Sequence, residues 1–317
     1  MIVRWGLDEL PGVLEELGLE RPFLVASRRW NELDLPPVAA HWAEIPSHRI
    51  EAPEGVDGVL TVGGGSAIDT AKAASSESGL PLVSVPTTYS GSEWTTSYGI
   101  RDPKKRIVGG GGGAKLAGIV YDPNLTLDLP REVTAGTALN ALAHAAEALY
   151  HSARSPESNR AAHEGAELIN GSLPAVLDDL GAIGPRKTLL KGAARAGEAL
   201  GLAGLCLGHA MAQALGGRYG LPHGAMNALC LPAALRFNEP VVPQAIDDFG
   251  KSIGADRPAD RVEELARLGG FNRLRDFGVP EEELDDVAEA TAQRAGAKAN
   301  PRPASPAEIA ELFREIY

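Results

Sequence analysis

The stretch VDGVLTVGGGSAIDTAKAA, residues 56–74, decides the fold of the first half of the chain. It has the pattern of an apolar strand, a turn of three glycines and a helix with apolar residues at helical spacing. Glycines let backbone N–H groups approach a phosphate, and the N-terminus of the new helix favours an anion. The same glycines are also typical of a tight strand-to-helix turn. The stretch therefore predicts a strand–turn–helix unit suited to a phosphate group.

The next stretch, LPLVSVPTTYSGSEWT at 80–95, supports a ligand site beside this turn. Its apolar run predicts a strand that ends in hydroxyl-bearing residues, and ligands of parallel sheets bind at the carboxyl ends of the strands. The predicted ligand-binding set comprises residues of the two strand ends together with one lysine further along the chain. Its members are Gly63, Gly64, Gly65, Ser66, Asp69, Thr87, Thr88, Ser92 and Lys105.

The two halves of the chain have different patterns. Up to about Leu129, short apolar runs alternate with glycine-rich turns, which favours βαβ units on a parallel sheet. From Pro130 onward, Ala- and Leu-rich runs at three-to-four spacing predict packed helices. We therefore predict an α/β, Rossmann-like domain at 1–129 and an all-helical domain at 130–317. The five glycines at 109–113 are expected to form a flexible loop.

Composition excludes several classes of protein. The 317 residues carry a net charge of −12, which argues against a nucleic-acid or anionic-membrane partner. The two cysteines, Cys206 and Cys230, cannot build a disulfide framework. The pattern predicts no signal peptide and no membrane span. We expect a cytoplasmic protein that acts on a small molecule.

Three of the seven histidines stand in suggestive patterns. Asn140 and His144 are four residues apart and share a helix face. His209 and Gln213 have the same spacing, and His223 follows a proline where a helix is predicted to begin. Imidazoles favour zinc or iron, although this set lacks an anionic ligand. A lone histidine on an Ala-rich helix is more often a core residue, so both a metal site and a metal-free site stay open.

Taken together, the motifs resemble the iron-containing (group III) alcohol dehydrogenase superfamily, and within it most closely the maleylacetate reductases. The chain carries, in family order, GGGSAIDTAK, VPTTYSGSE, YDPNLTLDLP, LNALAHAAEALY, ALGGRYGLPHG and NPRPAS. The resemblance implies a dehydroquinate synthase-like architecture, with a nucleotide-binding domain, a helical domain and NAD(H) or NADP(H) between them. It also implies a homodimer paired through the N-terminal strand near Val3 and Trp5.

In metal-dependent members of the superfamily, an aspartate and three histidines hold iron or zinc. The matching positions here are Asn140, His144, His209 and His223, and asparagine in place of aspartate is what maleylacetate reductases show. The resemblance thus implies that these four residues are the catalytic set. The three histidines would be ligands only if a metal binds with Asn140 in the aspartate position, and we expect that no metal binds.

Departures from the family pattern refine these expectations. Gln213 stands where the family carries a further histidine, and His223 is followed by Gly224 and Asn227, as in the alcohol dehydrogenases. The segment between the first apolar strand and the glycine turn is short, which predicts the loss of one crossover helix. Arg28 and Arg29 follow that strand in place of the family's aspartate, so we expect NADPH to be accepted and even preferred.

The resemblance implies a reductase that delivers hydride from NAD(P)H to the C=C bond of a 4-oxo-2-alkenedioate, a reaction of aromatic-compound degradation. Lys105, Arg106 and Arg218 are candidate partners for the substrate carboxylates, although each is more often a solvated surface charge. The alternatives are a metal-dependent alcohol or aldehyde dehydrogenase, a dehydroquinate synthase-like lyase, and an inactive nucleotide-binding relative.

Overall fold

The computed structural model describes residues 1–47, 49–101 and 107–317. The chain divides into two compact units. The α/β unit comprises Met1–Thr88 and Ser92–Asp128, and the helical unit comprises Tyr89–Gly91 and Leu129–Tyr317. The short segment Tyr89–Gly91 thus packs with the helices although it lies within the first half of the sequence.

The α/β unit is built on a parallel sheet. Its strands are β1 (Ile2–Trp5), β2 (Pro22–Ala26), β3 (Ala40–Trp42), β4 (Gly58–Gly63), β5 (Pro81–Pro86) and, after a separate pair, β8 (Lys115–Tyr121). They form a six-stranded sheet in the order β1-β8-β5-β4-β2-β3, and every neighbouring pair is parallel. The separate pair, β6 (Tyr98–Arg101) and β7 (Ile107–Gly111), is antiparallel. Helices α1 (Leu10–Glu16) and α2 (Gly65–Ser78) complete the unit.

The central strands show why the sequence selects this sheet. All of β4 and nearly all of β5 are buried, as expected for parallel strands that are covered on both faces. In the register of this pair, Gly63 lies opposite Pro86. The glycine turn after β4 and the Thr87–Thr88 segment after β5 therefore leave the same edge of the sheet side by side.

The structure corrects one expectation in this unit. Gly109–Gly111 belong to β7 and pair with β6, where a loop was expected. A Cβ at Gly110 would lie 2.7 Å from the Tyr98 carbonyl oxygen, and one at Gly111 would lie 2.6 Å from the Tyr98 hydroxyl. Glycine is thus required by close cross-strand approach. Between β2 and β4, the described residues contain the short strand β3 and no α-helix, which agrees with the crossover helix expected to be lost from this short segment.

The helical unit contains ten α-helices among its residues. They are α3 (Arg131–Tyr150), α4 (Pro156–Asp178), α5 (Ile183–Ala203), α6 (Leu207–Tyr219), α7 (His223–Asn238), α8 (Pro243–Ser252), α9 (Pro258–Leu268), α10 (Leu284–Ala292), α11 (Ala295–Ala299) and α12 (Pro306–Glu315). Helix α3 is buried along almost its whole length and contacts α4, α5 and α7. Its alanines let these neighbours approach closely, so its few polar side chains are enclosed by protein.

Within the described residues, no single helix is long and apolar enough to cross a membrane. The bent pair α5 and α6 passes that test by length and composition only.

Candidate active site

Three imidazole rings from three helices meet in the helical unit. His144 lies on α3, His209 is near the N-terminus of α6, and His223 is the first residue of α7. The His144 and His209 rings stack with centroids 4.7 Å apart, and the His209 and His223 centroids are 5.9 Å apart. Asn140 is buried one turn before His144 on α3. The structure therefore brings together the four side chains that the sequence singled out.

A chain of amide hydrogen bonds fixes the orientation of Asn140. Its Nδ2 donates to the Ser90 carbonyl oxygen at 3.0 Å, and Asn227 Nδ2 donates to Asn140 Oδ1 at 2.7 Å. A carbonyl only accepts, so Asn140 must present its NH₂ group to Ser90 and its oxygen to Asn227. Asn227 Nδ2 also lies 3.0 Å from His223 Nε2. That nitrogen therefore accepts, which places the proton of neutral His223 on Nδ1.

A buried carboxylate, Glu147, supports His209. Its Oε2 accepts from His209 Nδ1 at 2.8 Å and from the Cys206 backbone N–H at 2.6 Å, and its Oε1 accepts from the His209 backbone N–H at 3.2 Å. Sequence reasoning missed Glu147. The available signal is a carboxylate within the Ala-rich part of the helix, three residues after His144 and seven after Asn140, hence on the same face.

His144 is a neutral donor in this cluster. Burial, followed by the charges of His209 and His223, holds the pKa of His144 well below its usual value. Within the described part of the chain, its buried Nδ1 has no hydrogen-bond partner. A proton on Nδ1 would leave an N–H without an acceptor, so the favoured tautomer carries the proton on Nε2.

Segment Tyr89–Gly91 is anchored to the helical unit by a buried arginine. Arg186 is fully buried, and its Nη1 donates to the Tyr89 hydroxyl at 3.0 Å while its Nε donates to the Leu180 carbonyl at 2.7 Å. Tyr89 N–H lies 3.4 Å from Thr137 Oγ1 on α3. This anchor holds the Ser90 carbonyl against Asn140. The motif patterns gave no indication of Arg186, because its partners are distant in sequence.

Gly91→Ala is expected to disturb His144 directly. Gly91 has φ +71°, and an added Cβ would lie 3.2 Å from both His144 Nδ1 and Gly197 Cα. We expect a loss of about 1–3 kcal/mol in unfolding free energy from backbone strain, with a drop in kcat. Urea unfolding and steady-state kinetics measure both. Gly171→Ala is the matched control, since open space surrounds that position on α4. Wild-type stability and kcat in Gly91→Ala would contradict this account.

The α/β unit contains the described members of the predicted cofactor-binding set, which are Gly63, Gly64, Gly65, Ser66, Asp69, Thr87, Thr88 and Ser92. A Cβ at Gly63 would lie 2.6 Å from Ala67 Cβ, and one at Gly64 would lie 2.7 Å from Thr88 Cγ2. Only glycine permits this approach. No side chain caps the N-terminus of α2 at Gly64. A glycine cradle at an uncapped helix N-terminus fits a dinucleotide pyrophosphate.

A fully buried lysine organises the acidic and hydroxyl members of that set. Lys72 Nζ donates to Ser92 Oγ, Thr95 Oγ1 and the Ser97 carbonyl, each at 2.9 Å. It also lies 3.5 Å from Asp69 Oδ1, which accepts from Ser92 Oγ at 2.8 Å. Burial lowers the pKa of Lys72, and the charge of Asp69 opposes this shift. Sequence reasoning did not single out Lys72, although it lies in the DTAK part of the glycine-turn motif.

Three basic residues were candidates to bind the substrate carboxylates, and the structure describes only one of them. Lys105, also predicted to bind the cofactor, and Arg106 lie outside the described residues. Arg218 is partly exposed and pairs with Glu283 at 2.6 Å and with Asp286 at 3.3 Å. It is thus a surface charge, the alternative that we weighed for it.

The histidine cluster does not fit a metal ion as it is arranged here. Within the residues that the structure describes, no group of three or more His, Cys, Asp or Glu side chains is positioned to hold one. The Asn227 NH₂ group lies against both Asn140 Oδ1 and His223 Nε2, which are two of the four atoms a metal would need. The four candidate ligands also include no carboxylate to balance the charge of a divalent ion.

Comparison with known proteins identifies the family. The model of the C-terminal part of the Fe-containing alcohol dehydrogenase family matches residues 134–317, and the iron-containing alcohol dehydrogenase model matches residues 48–126. The chain belongs to the iron-containing alcohol dehydrogenase family. The resemblance drawn from its motifs is confirmed, and the chain is an oxidoreductase.

Three relatives show how similar this chain is to individual proteins in sequence and in structure. A maleylacetate reductase of Burkholderia cepacia is 34% identical over 271 residues, which cover 85% of this chain and 76% of that protein. A putative alcohol dehydrogenase of Ralstonia eutropha JMP134 has a TM-score of 0.89 at 32% identity, covering 100% of this chain and 95% of that one. Maleylacetate reductase from Agrobacterium tumefaciens has a TM-score of 0.88 at 27% identity, with the same coverage of both chains. These neighbours confirm the predicted fold class.

Proposed function

We propose that this protein is a maleylacetate reductase-like enzyme that reduces the C=C bond of a 4-oxo-2-alkenedioate with NADH or NADPH. The observation that carries the proposal is the neutral amide of Asn140, whose two ends are bound by Ser90 and Asn227. Maleylacetate reductases among the relatives give this observation its chemical context. The proposed setting is the cytoplasm, in a pathway that degrades aromatic compounds.

The reaction requires groups that meet a developing negative charge. When NAD(P)H is bound, it supplies a hydride, which forms a C–H bond at the alkene carbon distal to the ketone. The π electrons would move to the ketone oxygen as an enolate, and a proton from solvent would then add to the neighbouring carbon and restore the ketone. Pre-organised donors stabilise such an oxyanion in a buried site. Neutral His144, with its proton on Nε2, is the donor that we assign to this oxygen.

The surroundings of His144 keep this donor in place. Its ring is held between the His209 ring and the Gly91 backbone. Because burial lowers its pKa, His144 donates as a neutral imidazole near neutral pH. The neutral Asn140 amide adds no negative charge that would oppose the enolate. This arrangement favours reduction without a Lewis acid.

The cofactor and the assembly state are part of the proposal. Arg28 and Arg29 follow β2 in a short 3₁₀ turn and are exposed, so a 2′-phosphate would meet positive charge there. We therefore propose that NADPH is used at rates comparable with NADH. Strand β1 is one of the two edge strands of the sheet and Trp5 is 39% exposed, which suits pairing with a second copy in a homodimer.

One observation favours a second candidate, a metal-dependent alcohol or aldehyde dehydrogenase. Around metal-bound histidines, the other ring nitrogen commonly donates to a carboxylate, and His209 has this arrangement with Glu147. In that function, rearrangement of Asn227 would have to release Asn140 Oδ1 and His223 Nε2. The two candidates therefore differ in metal content.

The deciding experiment combines elemental analysis with turnover. NADH and NADPH oxidation would be followed with maleylacetate, before and after EDTA treatment, and with small aldehydes after addition of Fe²⁺ or Zn²⁺. We expect turnover of maleylacetate without stoichiometric metal and without loss on chelation. One bound iron or zinc, activity lost to EDTA and no reduction of maleylacetate would instead establish the dehydrogenase.

A further inference from the structure

We propose that Glu147 is a positioning residue that fixes His209 in the Nδ1–H tautomer and so presents an unprotonated Nε2 at the histidine cluster. This inference deepens the proposed function and rests on it for its kinetic test. Its structural part, the tautomer of His209, is independent of which substrate the enzyme takes.

The N-terminus of α6 shows why Glu147 is needed there. The side chain of the N-cap residue of α6, Cys206, makes no capping hydrogen bond. Glu147 instead accepts the backbone N–H groups of Cys206 and His209 from outside the helix, and Asn300 Oδ1 lies 3.4 Å from the Leu207 N–H. A carboxylate at this position is favoured by the helix dipole. Without the Glu147 carboxylate, the backbone N–H groups of Cys206 and His209 would have no acceptor, and this cost holds the carboxylate at the helix N-terminus.

The same carboxylate determines the protonation pattern of the ring. A carboxylate oxygen accepts, so the contact of Glu147 Oε2 with His209 Nδ1 calls for a proton on Nδ1. In this tautomer Nε2 carries the lone pair. In the described part of the chain, this buried Nε2 has no hydrogen-bond partner. Nε2 can therefore accept a hydrogen bond from the ligand or from water.

A division of roles follows within the cluster. In the proposed Nδ1–H tautomer, His209 cannot donate through Nε2, so hydrogen-bond donation to an enolate oxygen falls to His144. His209 supplies the complementary acceptor beside it, since the two rings stack 4.7 Å apart. Glu147 touches neither substrate nor cofactor in this account and acts only through His209.

The direct test is ¹⁵N NMR of the full-length protein labelled at histidine, with ring signals assigned by their loss in His209→Gln. The expected result is a protonated-type Nδ1 and an unprotonated-type Nε2 for His209 at neutral pH. A proton on Nε2 in the wild-type protein would overturn the proposal, and this readout requires no variant of Glu147 to fold.

The kinetic test uses Glu147→Gln, with Glu132→Gln, exposed on the same helix, as the matched control. One amide oxygen cannot accept from all three N–H groups. We expect kcat with maleylacetate to fall about 10–100-fold while the KM for NADH changes less than about twofold. We also expect the His209 ring signals to shift. A folded Glu147→Gln protein with wild-type kcat and unchanged ring signals would show a merely structural role. Absence of maleylacetate turnover in the wild type would refute the proposed function and leave the tautomer test valid.

Discussion

Asn140→Asp is expected to lower kcat/KM for maleylacetate by about 10²–10³-fold, an effect as large as the loss of an oxyanion donor, because the new charge opposes the stabilisation that His144 provides. The neutral amide would become a carboxylate next to the site where negative charge develops on the substrate. The new side chain would also lose the NH₂ group that binds the Ser90 carbonyl at 3.0 Å. Charge repulsion and an unpaired carbonyl therefore act in the same direction.

The same variant tests the metal question. Aspartate supplies the anionic ligand that the wild-type set lacks, so Asn140→Asp is expected to bind Zn²⁺ or Fe²⁺ more tightly than the wild type. Steady-state kinetics and elemental analysis after metal loading measure the two effects. The exposed Asn272→Asp adds the same charge away from the cluster and serves as control. If Asn140→Asp keeps wild-type kcat/KM and gains no metal, the role assigned to the neutral amide is wrong.

Lys72→Met is expected to destabilise the protein by about 3–5 kcal/mol, the usual cost of removing one partner from a buried charged group. Lys72 is fully buried, and its ammonium binds three oxygen atoms beside Asp69. Methionine fills a similar volume but provides no donor. Denaturant unfolding measures the loss. Because Asp69 and Ser92 lose their common partner, the Kd for NADH should rise as well.

The stability lost in Lys72→Met is also expected to depend on pH. Glu93 is buried, and burial raises its pKa above the ordinary value of 4.5, while the Tyr121 hydroxyl and the charge of Lys72 lower it. Removing Lys72 raises the folded-state pKa further. A group with a raised folded-state pKa loses its stabilising contribution as the pH rises through that pKa. The deficit of Lys72→Met should therefore grow as the pH rises above the wild-type folded-state pKa of Glu93.

The exposed Lys115→Met, in the same unit, is the matched control and should stay within about 0.5 kcal/mol of the wild type. A loss under about 1 kcal/mol for Lys72→Met, or a deficit that shrinks with rising pH, would contradict the argument.

Sequence patterns correctly predicted the elements whose pattern lies within their own residues. The first apolar strand of the sequence is β2, and the three glycines form the junction of β4 and α2 as predicted: Gly63 ends β4, Gly64 is the N-cap and Gly65 begins α2. Strand β7 was mistaken for a loop because its glycines are selected by contact with Tyr98 in another strand, which leaves no local pattern. Short strands without side-chain periodicity are therefore the elements that sequence reasoning missed.

The sequence by itself determined the family, the glycine turn, and the helix face shared by Asn140 and His144, because each depends on residues within a few positions of one another. Tertiary structure alone decided the partners of the buried polar groups. Glu147 meets His209 across 62 positions and Asn227 meets Asn140 across 87. Helical periodicity determines which face a side chain occupies but not which side chain faces it from another helix. That pairing is enforced by the cost of burying an unpaired polar group, which exists only once the helices have packed.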